Sequence, residues 1–408
     1  MQTSATPLLD HDAPTESWRR SAACDLSEVS GRITALKPYQ PGKPIEEVKR
    51  ELGIEGEIVK LASNENPLGP SPRALAALRD VLPGLALYPD GGCHDLRAAV
   101  AEHLGVAGDQ LIFGNGSDEV IHLLGLTFLQ PGDEVVIGDP TFVLYEAAAT
   151  LNGARTVKVP LTRPGLVHDT AAMADAFDAA RTRLVFIANP HNPTGTIVTR
   201  RAVDALLERL PRRALLVLDE AYGEYVADDH PEYPRAALDY IRRGAPVVGL
   251  RTFSKMYGLA GLRVGYGIAA PEVIRLLNQA RSPFNVNLAA QIAATAATGD
   301  AAFVAETRRV NAEGMRALMD AFARLDLPCV PSHANFLLVN VRRPCRAVFE
   351  GLLRRGVIVR TGDIFGLPTW LRVTVGTGAQ NERFIAALTA VLPTVEPAAG
   401  EEEEEAAA

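Results

Sequence analysis

Cysteine is scarce in this 408-residue chain: Cys24, Cys93, Cys329 and Cys345 stand far apart, with no C-x-x-C pair. That scatter argues against a disulfide framework and a cysteine-built zinc site, and it points to a reducing compartment. No metal is expected. Long apolar runs are missing too, and none approaches the roughly 20 residues that a membrane span requires. Neither sign of charge dominates: 41 Lys and Arg stand against 49 Asp and Glu, for a formal charge of −8. Residues 401–405 are all glutamate, so the rest of the chain is only mildly acidic and makes a poor nucleic-acid surface. The leading residues include Asp10, Asp12 and Glu16 and lack an apolar core, so they do not read as a secretory signal. The expected location is the cytoplasm, with no nucleic-acid and no membrane partner.

What is present reads as soluble and globular, with 47% apolar and 22% charged residues. Residues 1–30 are polar and aperiodic and are expected to be a disordered leader. A proline-stiffened arm, 31–60, carries Tyr39 and a short amphipathic stretch at 45–52, and it is expected to lie over another surface. From 61 to 285, short apolar segments at 111–113, 134–137, 156–159, 184–187, 215–218 and 246–250 alternate with helical patterns. This is an α/β pattern, a mostly parallel sheet with helices on both faces. Residues 286–395 read as a smaller α+β unit, opening with one long Ala-rich helical segment from 288 and containing strands near 336–341 and 371–375. The acidic tail, 396–408, is of low complexity. No internal repeat is evident.

Ligands of open parallel sheets sit beyond the carboxyl ends of the strands, and polar motifs follow several of these strands. Gly114-Asn115-Gly116-Ser117-Asp118-Glu119 joins a strand to a helix. Glycines there let backbone N–H groups approach an anion, the helix N-terminus favours it, and Ser117 can cap the helix. The third glycine of a dinucleotide fingerprint is absent, as is any P-loop, and an ordinary capped turn would look similar. Asn189-Pro190-His191-Asn192-Pro193-Thr194-Gly195 is a rigid turn that presents Asn192 as a donor, with His191 as a turn side chain. In Asp219-Glu220-Ala221-Tyr222, an acid ends a buried strand and needs a cation. A protonated pyridine nitrogen or a buried arginine could supply it. Glu220 should point to the opposite face, while Tyr222 can hydrogen-bond a ring oxygen. Arg251-Thr252-Phe253-Ser254-Lys255 follows the last strand. Lys255 can form a Schiff base with a phosphorylated aldehyde, with the hydroxyls of Thr252 and Ser254 and the guanidinium of Arg263 around its phosphate. Phe142 is placed to stack on a ring or simply to pack in the core.

Together these motifs resemble the class I/II, fold-type-I aminotransferases that use pyridoxal 5'-phosphate, and most closely the histidinol-phosphate aminotransferases. Further matching stretches are Ala62-Ser63-Asn64-Glu65-Asn66-Pro67-Leu68-Gly69-Pro70, Tyr88-Pro89-Asp90-Gly91, Arg281-Ser282-Pro283-Phe284-Asn285 and Leu371-Arg372-Val373. The match covers about residues 33–392. It implies a cofactor site built from Gly116, Ser117, Asp118, Phe142, Asn192, Asp219, Tyr222, Thr252, Ser254, Lys255 and Arg263. Lys255, Asp219 and Tyr222 are its catalytic residues. It also implies a homodimer with shared active sites, in which Tyr88 reaches the neighbouring subunit's cofactor phosphate and the 31–60 arm packs on the partner subunit. Tyr39, Asn66, Arg360 and Arg372 would bind the substrates, an amino phosphate in one half-reaction and glutamate or 2-oxoglutarate in the other. A surface residue at a strand end is the lesser alternative for Arg360. Phe142 stands where many members carry tyrosine, and His191 where asparagine is common. An aromatic amino-acid aminotransferase, a decarboxylase of an amino-acid phosphate and a non-catalytic pyridoxal-phosphate-binding module are the competing readings.

Overall fold

A computed structural model describes residues 30–36, 42–226, 230–234 and 236–398. Apart from Ser30, the 1–30 leader lies outside the described residues, as do Tyr39 and residues 399–408 of the tail. The strands, in chain order, are β1 (Val59–Lys60), β2 (Leu111–Gly114), β3 (Glu134–Asp139), β4 (Arg155–Pro160), β5 (Thr182–Ala188), β6 (Leu215–Asp219), β7 (Val247–Thr252), β8 (Gly265–Ile268), β9 (Cys329–Val330), β10 (Phe336–Asn340), β11 (Val357–Ile358), β12 (Arg360–Thr361) and β13 (Trp370–Thr374).

Seven strands form one sheet in the order β2-β8-β7-β6-β5-β3-β4. Its pairings are parallel except those of β8, which runs antiparallel to both neighbours. Side-chain alternation divides the strands between two cores. Val136, Val185, Ile187, Leu216 and Leu218 pack with residues of helices Pro72–Val81, His94–Leu104, Arg200–Glu208 and Leu288–Thr298. Val135, Ile137, Leu184, Phe186 and Val217 face the helices Ser117–Phe128, Val143–Leu151 and Pro271–Ala280 instead. Burial on both faces is the reason these strands read as continuous apolar runs.

A second sheet, in the order β12-β13-β10-β9, is antiparallel. Leu337, Val339, Leu371 and Val373 bury one of its faces against Leu318, Phe322, Val348, Phe384 and Leu388. Leu338 and Val330 point the other way, onto Leu161 and Leu166 of the large unit. Arg372 pairs in register with Leu338 and therefore faces the large unit as well.

One detail departs from the expectations. The Ala-rich helix is broken into Leu288–Thr298 and Ala301–Arg324, bent by 81°. At the break Asp300 caps the second helix through Phe303 N–H and accepts from Ser71 Oγ at 2.6 Å. Part of the 31–60 arm closes its apolar face within its own chain. Helix Ile45–Leu52 buries Val48 among Ile58, Ala62, Leu353 and Ile358, and β1 pairs parallel with β11. Among the described residues no single helix is long and apolar enough to cross a membrane.

Candidate active site

Parallel register brings the ends of β5, β6 and β7 to one rim, with Ala188 beside Asp219 and Asp219 beside Leu250. The loops that follow line a cavity of about 200 Å³ together with Ser117, Phe142, Arg360 and Arg372.

One end of the cavity is a cup of donors. Gly116 begins the helix Ser117–Phe128 at φ 81°, and a Cβ there would lie 2.6 Å from Arg263 Nη2. Gly265 is equally constrained, because a Cβ would stand 2.4 Å from Ser117 N. These glycines let the helix N-terminus, β8 and a guanidinium converge. Arg263 Nη1 donates to Ser254 Oγ at 3.3 Å, and Nη2 to Asp118 Oδ2 at 3.0 Å. Burial pushes the Asp118 carboxyl up from its ordinary value, and Arg263 and then Lys255 oppose this. Ser117 makes no side-chain cap, because Gly116 occupies the N-cap. Glu119 instead takes the N–H of Asn115 and the Asn285 amide. The hydroxyl residues Ser117, Thr252 and Ser254, which all line the cavity, a guanidinium and a helix N-terminus suit a phosphate monoester.

Asp219 lies deeper and is 5% exposed. Its Oδ2 accepts from Tyr145 Oη at 2.7 Å and its Oδ1 from Ala221 N at 3.0 Å. Burial pushes its pKa up to about 6, with Tyr145 and the Ala221 N–H opposing. The buried arginine that could have been its partner belongs to Glu220, whose Oε2 meets Arg251 Nε at 2.9 Å on the other face of the strand. Asp219 thus has two neutral donors and a cost that a cationic nitrogen would offset.

Lys255 Nζ donates to the Ser63 carbonyl at 2.9 Å and lies 5.8 Å from the Tyr222 ring centroid. Burial, then the nearby Arg372 charge, lowers its pKa to about 8. Far more of it is neutral near pH 7 than of an ordinary lysine. Tyr222 is 5% exposed, and its Oη accepts from Asn64 Nδ2 at 2.9 Å. Phe142 sits at the cavity wall, edge-on to Tyr145 at 5.7 Å.

The opposite wall comes from the small sheet. Arg360 and Arg372 are direct partners across β12 and β13, and both line the cavity. Arg372 Nη1 donates to Asn192 Oδ1 at 2.6 Å and Nη2 to the Ala62 carbonyl at 2.8 Å, with its guanidinium 5.4 Å above the Phe336 ring. Asn192 therefore acts as an acceptor here, through its carbonyl oxygen. His191 bonds Thr194 Oγ1 at 2.9 Å and is buried in its turn.

Two expected residues are not brought to this cavity. The Asn66 amide is committed to the Met256 carbonyl at 2.8 Å and to Thr307 Oγ1 at 3.2 Å, and its Oδ1 to Leu68 N–H. It fastens the Lys255 loop to the long helix rather than facing a substrate. Tyr88 is 83% exposed and stacks on Phe284 at 4.8 Å, away from its own chain's cavity. Tyr39 lies outside the described residues. Sequence reasoning missed Tyr145, Asn64 and the carbonyls of Ala62 and Ser63. Tyr145 had a signal, three residues after Phe142 on the helix that follows β3. Asn64 had a weaker one, an asparagine two residues before Asn66 in the same motif. The carbonyls had none.

Comparison with known proteins agrees with this arrangement. Residues 56–388 match the family model described as aminotransferase class I and II. A histidinol-phosphate aminotransferase of Moorella thermoacetica is 56% identical over 88% of this chain and 92% of its own length. One from Symbiobacterium thermophilum is 48% identical over 90% of this chain and 99% of its own. The crystal structure of a histidinol-phosphate aminotransferase from Sinorhizobium meliloti, in complex with pyridoxal-5'-phosphate, superposes with a TM-score of 0.81 at 28% identity. It covers 90% of this chain and 98% of that one.

Proposed function

As a member of the class I and II aminotransferases with the fold-type-I architecture, the chain is a transaminase, and we propose that it exchanges the amino group of L-histidinol phosphate with 2-oxoglutarate on pyridoxal 5'-phosphate. One observation carries the cofactor reading. Lys255, with its lowered proton affinity, shares a single cavity with Asp219, which lacks a cationic partner among the described residues. When bound, the cofactor supplies an aldehyde for the substrate amine and a protonated ring that withdraws electrons from the substrate α-carbon.

The chain's own residues do the rest. Ser117, Thr252, Ser254 and Arg263 hold the phosphate, and Asp118 orients Arg263. Asp219 keeps a proton on the ring nitrogen, Tyr145 holds Asp219 in place, and Tyr222 donates to the ring oxygen. Phe142 covers one ring face. Lys255 Nζ, whose neutral form burial favours, would hold the aldehyde and move the substrate α-proton. Arg372 and Arg360 take the anionic end of either substrate, a phosphate monoester or a carboxylate. The substrate assignment draws on the two relatives at 56% and 48% identity.

The working unit in this reading is a homodimer. Leu82, Leu85, Leu87, Tyr88 and Phe284 are 59, 53, 75, 83 and 46% exposed, an apolar cluster that an isolated chain leaves in water. Covering it with a second copy lets Tyr88 reach the neighbouring phosphate cup. The free cysteines Cys93, Cys329 and Cys345 fit a reducing cytoplasm. The test is kcat/KM for histidinol phosphate against phenylalanine, with 2-oxoglutarate as acceptor. A preference for phenylalanine would replace the substrate and leave the chemistry. Absence of glutamate-dependent amino transfer would reject both.

A further inference from the structure

Thr374 on β13, Asn64 in the crossover between the sheets and Tyr222 after β6 are 2, 1 and 5% exposed, and their hydrogen bonds form one chain. The Asn64 N–H donates to Thr374 Oγ1 at 2.9 Å, Thr374 Oγ1 to Asn64 Oδ1 at 3.0 Å, and Asn64 Nδ2 to Tyr222 Oη at 2.9 Å. The direction follows from the atoms. Thr374 Oγ1 accepts the Asn64 amide proton, and among the described residues its own proton has one acceptor in reach, the Asn64 side chain, so a flipped amide would leave a buried hydroxyl proton unpaired. This assigns Oδ1 to the threonine and turns Nδ2, which can only donate, toward the tyrosine. Tyr222 Oη is an acceptor on this side, and its own proton goes to another partner. The backbone holds the arrangement. Asn64 is left-handed at φ 56°, a conformation asparagine tolerates better than most residues, and its carbonyl accepts from Asn335 Nδ2 at 3.1 Å.

We propose that Asn64 is a positioning residue for transamination: oriented by Thr374, it fixes the polarity of Tyr222 so that the phenol proton is directed into the cofactor cavity. The inference rests on the reading of Tyr222 as donor to the cofactor's ring oxygen. An anionic oxygen there needs a proton facing it. If Tyr222 gave that proton to residue 64, it would present a lone pair to the ring and repel it.

The test is Asn64→Asp in the holoenzyme, a change of nearly equal shape that only accepts and so draws the Tyr222 proton away from the cavity. The readout is the pH midpoint of the bound cofactor's visible absorbance change, beside kcat and KM. The midpoint should rise by about one pH unit or more, because the ring oxygen loses its donor. The kcat should fall roughly ten- to hundredfold, with KM for 2-oxoglutarate little changed. Added charge would also raise the midpoint, so the same change is made in a Tyr222→Phe background. No phenol proton remains there to steer, and the residual shift measures charge alone. Thr374→Val, which unlocks the amide without adding charge, should give a smaller rise, and Thr374→Ser should reverse it. If Asn64→Asp fails to fold, the threonine pair decides. Equal shifts in both backgrounds, or an unmoved midpoint in Thr374→Val, overturn the relay and leave the reading of Tyr222 standing. A Tyr222→Phe enzyme that titrates like wild type removes that reading and the relay with it.

Discussion

Replacing Asp219 with asparagine should stabilise the cofactor-free protein and weaken the holoenzyme. In the fold the Asp219 pKa is about 6, against an ordinary 3.8. Between those two pH values the folded chain keeps a proton that the unfolded chain has released, so stability falls as the pH rises through this window. The full cost, present above about pH 6, is roughly 3 kcal/mol at 1.36 kcal/mol per tenfold. Asparagine does not titrate and keeps both contacts, since Tyr145 Oη can accept from an amide as readily as it donates to a carboxylate. Cofactor-free Asp219→Asn should therefore gain about 1–3 kcal/mol in urea unfolding at pH 8 and almost nothing near pH 4. Adding pyridoxal 5'-phosphate at pH 8 should reverse the ranking, because only the carboxylate pairs with a cationic ring nitrogen and binding to the native state adds its own stabilisation. A gain that is the same at both pH values, or a cofactor-free variant less stable than wild type at pH 8, refutes the argument.

Three further outcomes are expected. Lys255→Ala should abolish turnover and the visible absorbance of lysine-linked cofactor, and a variant that kept both would end the assignment. Arg372→Ala should raise KM for 2-oxoglutarate about ten- to hundredfold, the equivalent of one lost charge-assisted pair at about 1.5–3 kcal/mol, and steady-state kinetics with an unchanged KM would remove its role. Leu87→Asp should shift the sedimentation of the protein toward monomer and weaken cofactor binding in parallel; a dimeric variant with undiminished affinity would place the subunit contact elsewhere.

The central sheet was legible because burial on both faces leaves unbroken apolar runs, as in Leu184-Val185-Phe186-Ile187. Strand β8 was not. Gly265-Tyr266-Gly267-Ile268 is half glycine, because the sheet there must admit Ser117 N and the side chains of Ile112 and Val120. The break at Gly299-Asp300 was hidden by alanine-rich sequence on both sides, where the helical pattern continues through the Asp300 cap that a tertiary contact with Ser71 also holds. In the site, side chains that follow a strand could be read from position, and Asp219 and Glu220 were separated by alternation alone. Asn64 and Asn66 could not be ranked. Both sit in a crossover without periodicity, and only tertiary contacts decide which of them turns to Tyr222 and which to Met256.

The charged groups of the cavity share one electrostatic condition. The Asp219 pKa is raised and the Lys255 pKa lowered, both chiefly by burial, and Arg263 is spent on a carboxylate, Asp118, that burial also disfavours as an anion. Each departure is one that a phosphorylated pyridine aldehyde would relieve. A cationic ring nitrogen would return Asp219 toward its ordinary range, an aldehyde would take up the neutral amine that burial favours, and a phosphate would give Arg263 a second anion. A fold selected for stability alone would have removed these costs with apolar or neutral residues of similar volume. That all three persist within one cavity of about 200 Å³ argues that the stability forgone is recovered when the cofactor binds.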